Sequence, residues 1–334
     1  MLKSVQQKNG IWNTQLVGSM KILIAGGKGF IGSKIVEELS KDHSVIVVDN
    51  HDTYGLMSKQ ELEKLNAWRT RNWNAKNIIL ITGDLLDRTT CLKAFSHHPD
   101  LVIHLATYPR AKIVEEDPIL GVPKVTSTTT NLLWHCAKFG VDKIVYVSSS
   151  MVYGDFKDGT KEDSMTKPMN IYGEAKLTGE RLTKLFAKRD RFNYVIVRPS
   201  GVYGPGDLPD RVVSKFFKQA MNNETITLHN GRNKVDFTYI DDAVDGIVKA
   251  ALTPIANVSF NITQGNSTSL YDLANAIIDT TKSNSDIEDI GDHDLYPRRG
   301  TLDISRAKDL LGYTPKHTLE QGLKNYYEWL QNKI

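Results

Sequence analysis

Residues 21–32 read Lys21-Ile-Leu-Ile-Ala-Gly-Gly-Lys-Gly-Phe-Ile-Gly32. The apolar run Ile22–Ala25 does not alternate with polar residues, which predicts a strand buried on both faces. Three spaced glycines then stop it and open an apolar helical pattern, and each glycine has its own task. Gly26 makes the tight turn, Gly29 lets backbone approach a pyrophosphate, and Gly32 lets helix pack close to strand, with Phe30 and Ile31 in the first turn. A glycine triplet alone carries little information. Between a strand and a helix it predicts a dinucleotide site. The nucleoside-triphosphate loop needs Gly-Lys followed by Ser or Thr, and Lys28 is followed by Gly29.

Working outward, a second strand at Ser44–Asp49 ends in Asp49 with Asn50 behind it. A carboxylate there can bond the adenosine ribose diol and repels a 2′-phosphate, so the expected cofactor is NAD and not NADP. Further strands are expected at Ile78–Thr82, Leu101–Leu105, Lys143–Ser148 and Tyr194–Pro199, with helices at Ile31–Ser40, Ser58–Thr70, Arg88–Phe95, about Thr128–Phe139 and Tyr172–Lys188. Strands buried on both faces require helices on both sides. The expected fold class is therefore α/β, a Rossmann-type doubly wound parallel sheet. Segment 50–76, with its basic, tryptophan-bearing tail (Trp68, Arg69, Arg71, Trp73), reads as a surface insertion.

After Pro199 the rhythm turns to short strands, turns and helices, which predicts a smaller mixed α/β C-terminal lobe for substrate. The division expected is 20–199 for the NAD-binding domain, with 235–252 returning to it, and 200–334 mainly for the substrate lobe. Residues 1–19 are polar, lack the apolar core of a signal peptide, and read as a leader or tag-like extension. With 42 Lys and Arg against 39 Asp and Glu and no charge block, nothing points to nucleic acid. No run approaches the length of a membrane span. The two cysteines, Cys91 and Cys136, stand apart as small core residues and fit a reducing, cytoplasmic setting. No spacing suits a metal ion; Asp242 reads as a helix cap and His104 as a core histidine.

The second informative stretch joins Ser148-Ser149-Ser150-Met151-Val152-Tyr153 to a later helix beginning Tyr172-Gly-Glu-Ala-Lys176. Tyr and Lys four apart share one helix face. An ammonium there can lower the phenol toward working pH, so that Tyr172 takes a proton from a sugar hydroxyl as hydride leaves the same carbon.

Together these motifs resemble the extended short-chain dehydrogenase/reductase superfamily, specifically its NAD-dependent nucleotide-sugar epimerases and dehydratases of the UDP-glucose 4-epimerase type. The likeness covers residues 20–330: GGKGFIG, VVDN, Gly83-Asp84-Leu85, Val102–Ala106, SSSMVYG, YGEAK, Arg198-Pro199 with Val202-Tyr-Gly-Pro205, Asp236–Asp242, and the closing LLGYTPKHTLEQGL. It implies Tyr172 as acid–base, Lys176 as the residue that holds the nicotinamide ribose, and Ser149 as the hydroxyl that polarises the sugar oxygen. It also implies Asp84 and Leu85 beside adenine, Ala106 and Thr107 along the middle of the cofactor, and Pro199 as a further cofactor contact. Ser150, Arg298 and Arg110 are the expected substrate contacts. A homodimer through the helices around Thr128–Phe139 and Tyr172 is a further implication.

The departures from the pattern discriminate between activities. Dehydratases of the superfamily carry Asp-Glu after the catalytic hydroxyl, whereas here Ser150 and Met151 stand there, and Met cannot transfer protons. Val125, Gly201 and Val235 replace two asparagines and an arginine of the pattern. The expectation is an epimerase acting at C4 through a transient keto sugar. Its rivals are a nucleotide-keto-sugar reductase or dehydrogenase and, behind that, a non-catalytic NAD sensor.

Overall fold

The computed structural model describes residues 18–52, 55–108, 111–291 and 297–333. Strands β1 (Lys21–Ala25), β2 (Ser44–Asp49), β3 (Ile78–Thr82), β4 (Leu101–His104), β5 (Lys143–Val147) and β6 (Asn193–Pro199) join Val258–Ile262 in one seven-stranded sheet. Every pairing in it is parallel, and the order is Val258–Ile262, β6, β5, β4, β1, β2, β3.

The apolar strands dictate two cores. Ile22, Ile24, Val45 and Val47 face one side with Ile35 and Val36 of α1 (Phe30–Leu39). Leu23, Ala25, Ile46 and Val48 face the other with Cys91 and Phe95 of α3 (Arg88–Phe95) and Leu132, Leu133 and Cys136 of α5 (Pro118–Phe139). Period-2 alternation thus survives as a choice between two apolar faces. Both cysteines are buried core residues, as expected.

The remaining helices are α2 (Lys59–Thr70), α4 (Ala111–Glu116), α6 (Ile171–Asp190), α7 (Val212–Met221), α8 (Ile240–Leu252), α9 (Leu270–Thr281), α10 (Ser305–Leu311) and α11 (Leu319–Lys333). Helix α8 returns to pack on α1. The strand Val258–Ile262 also joins the main sheet beside β6, so the stretch read as substrate lobe gives it an edge strand. Helix α5 starts ten residues earlier than expected. Pro118 occupies its first turn behind the Asp117 cap, where the missing N–H costs nothing, whereas Pro123 lies inside the helix and forgoes one i→i−4 bond. Residues 1–17, most of the leader, lie outside the described residues. Among those described, no helix is long and apolar enough to cross a membrane.

Asp242 is not a cap. Tyr239 occupies that position, and Asp242 lies buried inside α8, where it accepts the amides of Lys316 and His317 at 3.0 Å each and faces His317 Nδ1 at 3.1 Å. A buried carboxylate thereby pins the chain entering α11. Asp242→Ala is expected to cost about 2–3 kcal/mol of unfolding free energy, because charge-assisted bonds are lost and two amides are left unpaired. Urea denaturation followed by circular dichroism measures it.

Candidate active site

The strand order reverses between β1 and β4, so the loops leaving them part and open a crevice at their carboxyl ends. They touch at its floor: a Cβ on Gly26 (φ +82°) would lie 2.9 Å from the Ala106 nitrogen. At Gly32 a Cβ would meet the Gly26 carbonyl at 2.1 Å, so only glycine lets α1 start there. Gly29 caps α1 with no side-chain bond, and the first turn carries no acid. The helix N-terminus is thus left to an anion, which suits a pyrophosphate.

The crevice is lined by Gly26, Gly29, Phe30, Ile31, Gly32, Asp49, Asn50, Asp84, Leu85, Ala106 and Thr107, all of them residues singled out by the sequence. Asp49 accepts from the Lys28 amide at 2.9 Å with one oxygen and from the His51 amide at 2.9 Å with the other. This fixes its carboxylate against the glycine turn, where it fits a ribose diol. Asp84 pairs with Lys124. Burial pushes the Asp84 carboxyl up, but bonds from Lys124 and the Leu86 amide pull it below the usual carboxylate range.

Ser149, Ser150, Tyr172, Lys176 and Pro199 sit beyond that crevice, at the carboxyl ends of β5 and β6. Two contacts join the regions: Tyr108 lines the crevice and packs with Tyr172, and Arg211 lines it with its charge reaching the phenol. Asn170 caps α6 by accepting the Gly173 amide at 2.8 Å, and Glu115 accepts the Tyr172 amide at 3.1 Å. Gly173 is forced, since a Cβ would lie 2.8 Å from the Met151 carbonyl, and this brings α6 against the Ser150–Tyr153 turn that Ser149 caps. Arg298 is exposed, with its amide on Asp155 at 2.7 Å, while Arg299 beside it is half-buried. Arg110 lies outside the described residues.

Beneath the site runs a buried ionic network. Arg198 donates to Glu180 through Nε (2.9 Å) and Nη2 (2.6 Å), and through Nη1 to the Tyr153 hydroxyl (2.9 Å). Ser148 Oγ donates to Glu180 at 2.6 Å, and the Tyr153 hydroxyl donates to Asn261 Oδ1 at 2.8 Å. Lys176, 2% exposed, donates to the Val147 carbonyl at 2.9 Å, its Nζ 5.9 Å from the Tyr172 ring centre. Burial lowers its ammonium to about 7, although Glu180 raises it. The sequence reading had Lys176 bringing the phenol down, but the phenol lies instead at about 12. Burial drives it up, and the opposing pulls come from Arg211 and Ser149. His104 is the expected core histidine, its Nε2 2.9 Å from Thr129 Oγ1 and burial holding it neutral.

Sequence reasoning missed Arg69, Lys124, Asp207, Arg211 and Glu180. The i,i+4 pair Asp207–Arg211 (3.3 Å) was visible in the spacing, and Glu180 continues the stripe of Tyr172 and Lys176 by one turn. Gly201 and Val235 lie against each other, since a Cβ at 201 would lie 2.7 Å from Val235 Cγ1. Among the described residues, no three His, Cys, Asp or Glu side chains gather to hold a metal ion.

Comparison with known proteins gives a consistent picture. The sequence pattern of the NAD dependent epimerase/dehydratase family matches residues 22–263. An uncharacterized UDP-glucose epimerase of Bacillus subtilis is 30% identical over 321 residues, 94% of this chain and 98% of its own. A dTDP-D-glucose 4,6-dehydratase of Mus musculus is 29% identical over 94% of this chain and 89% of its own. The crystal structure of UDP-glucuronic acid 4-epimerase from Bacillus cereus, in complex with UDP-glucuronic acid and NAD, superimposes with a TM-score of 0.86 at 29% identity, covering 94% of this chain and all of that one.

The Lys176 environment makes a pH prediction. A nearby carboxylate favours the ammonium, so Glu180→Gln lowers the Lys176 pKa further below about 7. A lysine is charged below its pKa, so the alkaline limb of kcat against pH is expected to move to lower pH by about one unit. Steady-state rates across the pH range measure this.

Proposed function

The chain belongs to the NAD-dependent epimerase/dehydratase family, and we propose that within it the protein is an enzyme of the isomerase class, a nucleotide-sugar epimerase acting at C4. The observation that carries this reading over dehydration is the wall beside Tyr172. Met151 is buried there against Tyr108, Val114 and the Tyr172 ring. Eliminating water from the sugar needs a second acid and base at the neighbouring carbon, and a thioether supplies neither. Glu115 reaches the same helix end, but its Oε1 accepts from the Tyr172 amide.

The glycine turn would hold NAD with Asp49 on its ribose, and NAD bound there would supply reversible hydride acceptance for the C4 oxidation and its reversal. Tyr172 Oη takes the proton of the C4 hydroxyl and gives it back after the keto sugar has turned over. Ser149 Oγ, across the α6 contact from Tyr172, polarises the sugar oxygen. Lys176 is anchored on Val147 and holds the nicotinamide ribose. The high phenol of Tyr172 makes it a strong base once ionised, and the Arg211 cation and Ser149 hydroxyl are the groups here that favour that ionisation. On this reading Ser150 would face the sugar, and Arg298, with Arg299 beside it, would meet the substrate diphosphate.

The relatives' names support a nucleoside diphosphate as the substrate handle, with UDP foremost. A homodimer through α5 and α6 is supported by apolar side chains exposed on those helices: Ile119 (88%), Ile171 (39%) and Leu185 (64%). Light scattering on the purified protein tests it.

Two outcomes test the mechanism. Tyr172→Phe is expected to lower kcat by about 10²–10⁴ while leaving the protein folded; a variant turning over at the parental rate overturns the assignment. Denaturing the purified protein without added cofactor is expected to release near-stoichiometric NAD or NADH, read by chromatography. An empty site preferring NADPH moves the reductase reading to first place.

A further inference from the structure

The crevice has a wall that the sequence reading leaves to the surface. Helix α2 buries Leu62, Leu65, Asn66 and Arg69, and three of these, Leu62, Asn66 and Arg69, line the crevice. Arg69 is 5% exposed. Its Nη1 donates to the Lys28 carbonyl at 3.2 Å, and its Nε and Nη2 both donate to the Gly206 carbonyl, at 3.0 and 2.7 Å. Those two carbonyls belong to different walls. Lys28 lies in the glycine turn, and Gly206 leads into Asp207, Leu208 and Arg211 of the smaller lobe, all three of which line the crevice.

The bridge is seated by its neighbours. A Cβ at Gly206 (φ +88°) would lie 2.7 Å from the Trp68 ring, so the lobe's chain passes directly against α2. Trp68 meets Trp329 of α11 edge-on at 5.2 Å, and the Arg71 guanidinium covers it at 3.9 Å from its centre. Trp73, just past the helix, donates from Nε1 to the Ser33 carbonyl of α1 at 2.9 Å. Segment 59–73 is therefore fastened to the glycine-turn helix on one side and to the smaller lobe on the other.

We propose that Arg69 is a latch that keeps the two walls closed on NAD between turnovers. It is a positioning residue that sets how slowly the cofactor leaves without touching the reacting atoms. The proposal rests on the reading of the crevice as the NAD site. The walls cannot part without breaking three N–H···O contacts and uncovering two carbonyls. A guanidinium suits the bridge because its rigid planar fork spreads donors over three nitrogens that reach both carbonyls in a fixed geometry, whereas the donors of an ammonium sit on one nitrogen at the end of a flexible stem. An epimerase that returns its hydride in every cycle has no need to exchange cofactor, so a wall-to-wall bridge suits it. A reductase would have to break the same bridge at each turnover.

The test compares wild-type holoenzyme with Arg69→Lys and Arg69→Met, each loaded with radiolabelled NAD and chased with unlabelled NAD. Both variants are expected to release label roughly tenfold to hundredfold faster than wild type. Loss of the buried bonds lowers the Tm of protein stripped of cofactor, and the rise in Tm produced by added NAD is expected to shrink as well, so that the holoenzyme Tm falls further than the stripped-protein Tm. Arg69→Lys keeps the charge, so fast release from it identifies the bridge and not the cation as the cause. Release from Arg69→Lys at the wild-type rate overturns the latch, and so does a stripped-protein Tm that falls as far as the holoenzyme Tm. Wild-type protein that is purified empty counts against the self-regenerating reading and leaves the latch standing or falling on the measured rates, since these are taken on loaded protein.

Discussion

Everything functional in this chain depends on the divergence of the loops leaving β1 and β4. In a parallel sheet whose order reverses at that point, one helix leaves toward each face and the carboxyl ends are left uncovered between them. The glycines follow from that constraint. Gly26 must pass within van der Waals distance of Ala106 on the far side of the crevice, and Gly32 must let α1 start against the turn it has just left. Any side chain at either point would strike backbone, that of Ala106 at Gly26 and that of the turn itself at Gly32, and would push apart the elements that shape the crevice.

The other half of the site depends on a different kind of constraint, a buried charge pair. Arg198 comes from β6, Glu180 from α6 and Tyr153 from the turn that follows β5, and their hydrogen bonds join three elements behind the chemistry. Removing one member of such a pair leaves an uncompensated charge in the interior, so the three elements keep a single relative placement. That placement puts Ser149, Tyr172 and Lys176 at one end of the crevice. The glycine turn shapes the crevice and the ionic network fixes the register of the elements beyond it, and Tyr108 and Arg211 lie where the two meet.

The features legible in the sequence are those with strong local causes. Strands β1 and β2 begin and end where the apolar runs do, because strands buried on both faces need no partner to identify them, and β3, a half-exposed edge strand, keeps the same bounds through its β-branched run. The glycine turn was legible for the same reason. The wall formed by α2 was not. Its buried face contains Asn66 and Arg69 beside Leu62 and Leu65, so the apolar periodicity that marks an inward face is half missing. The role of Arg69 depends on two backbone carbonyls 41 and 137 residues away, which no local pattern encodes. The start of α5 was hidden by prolines that normally end helices and here occupy its first turns. Asp242 has the composition of a cap but performs a tertiary task.

The Tyr172 environment shows why spacing alone misjudged the tuning. Four-residue spacing places the ammonium on the same face as the phenol, and in water that would lower the phenol. In the folded chain both groups are buried, and burial acts on each in the direction of its neutral form: the phenol goes up and the ammonium comes down. Burial thus outweighs any lowering of the phenol by the ammonium, and Lys176 is not among the groups that oppose the rise. The cation that does favour phenolate is Arg211, on the crevice side, where it is a third exposed and stays charged. It reaches the site from the smaller lobe, across the same junction that Arg69 ties shut. The cation that opposes burial at the phenol thus comes from outside α6, so a sequence motif confined to one helix does not contain it.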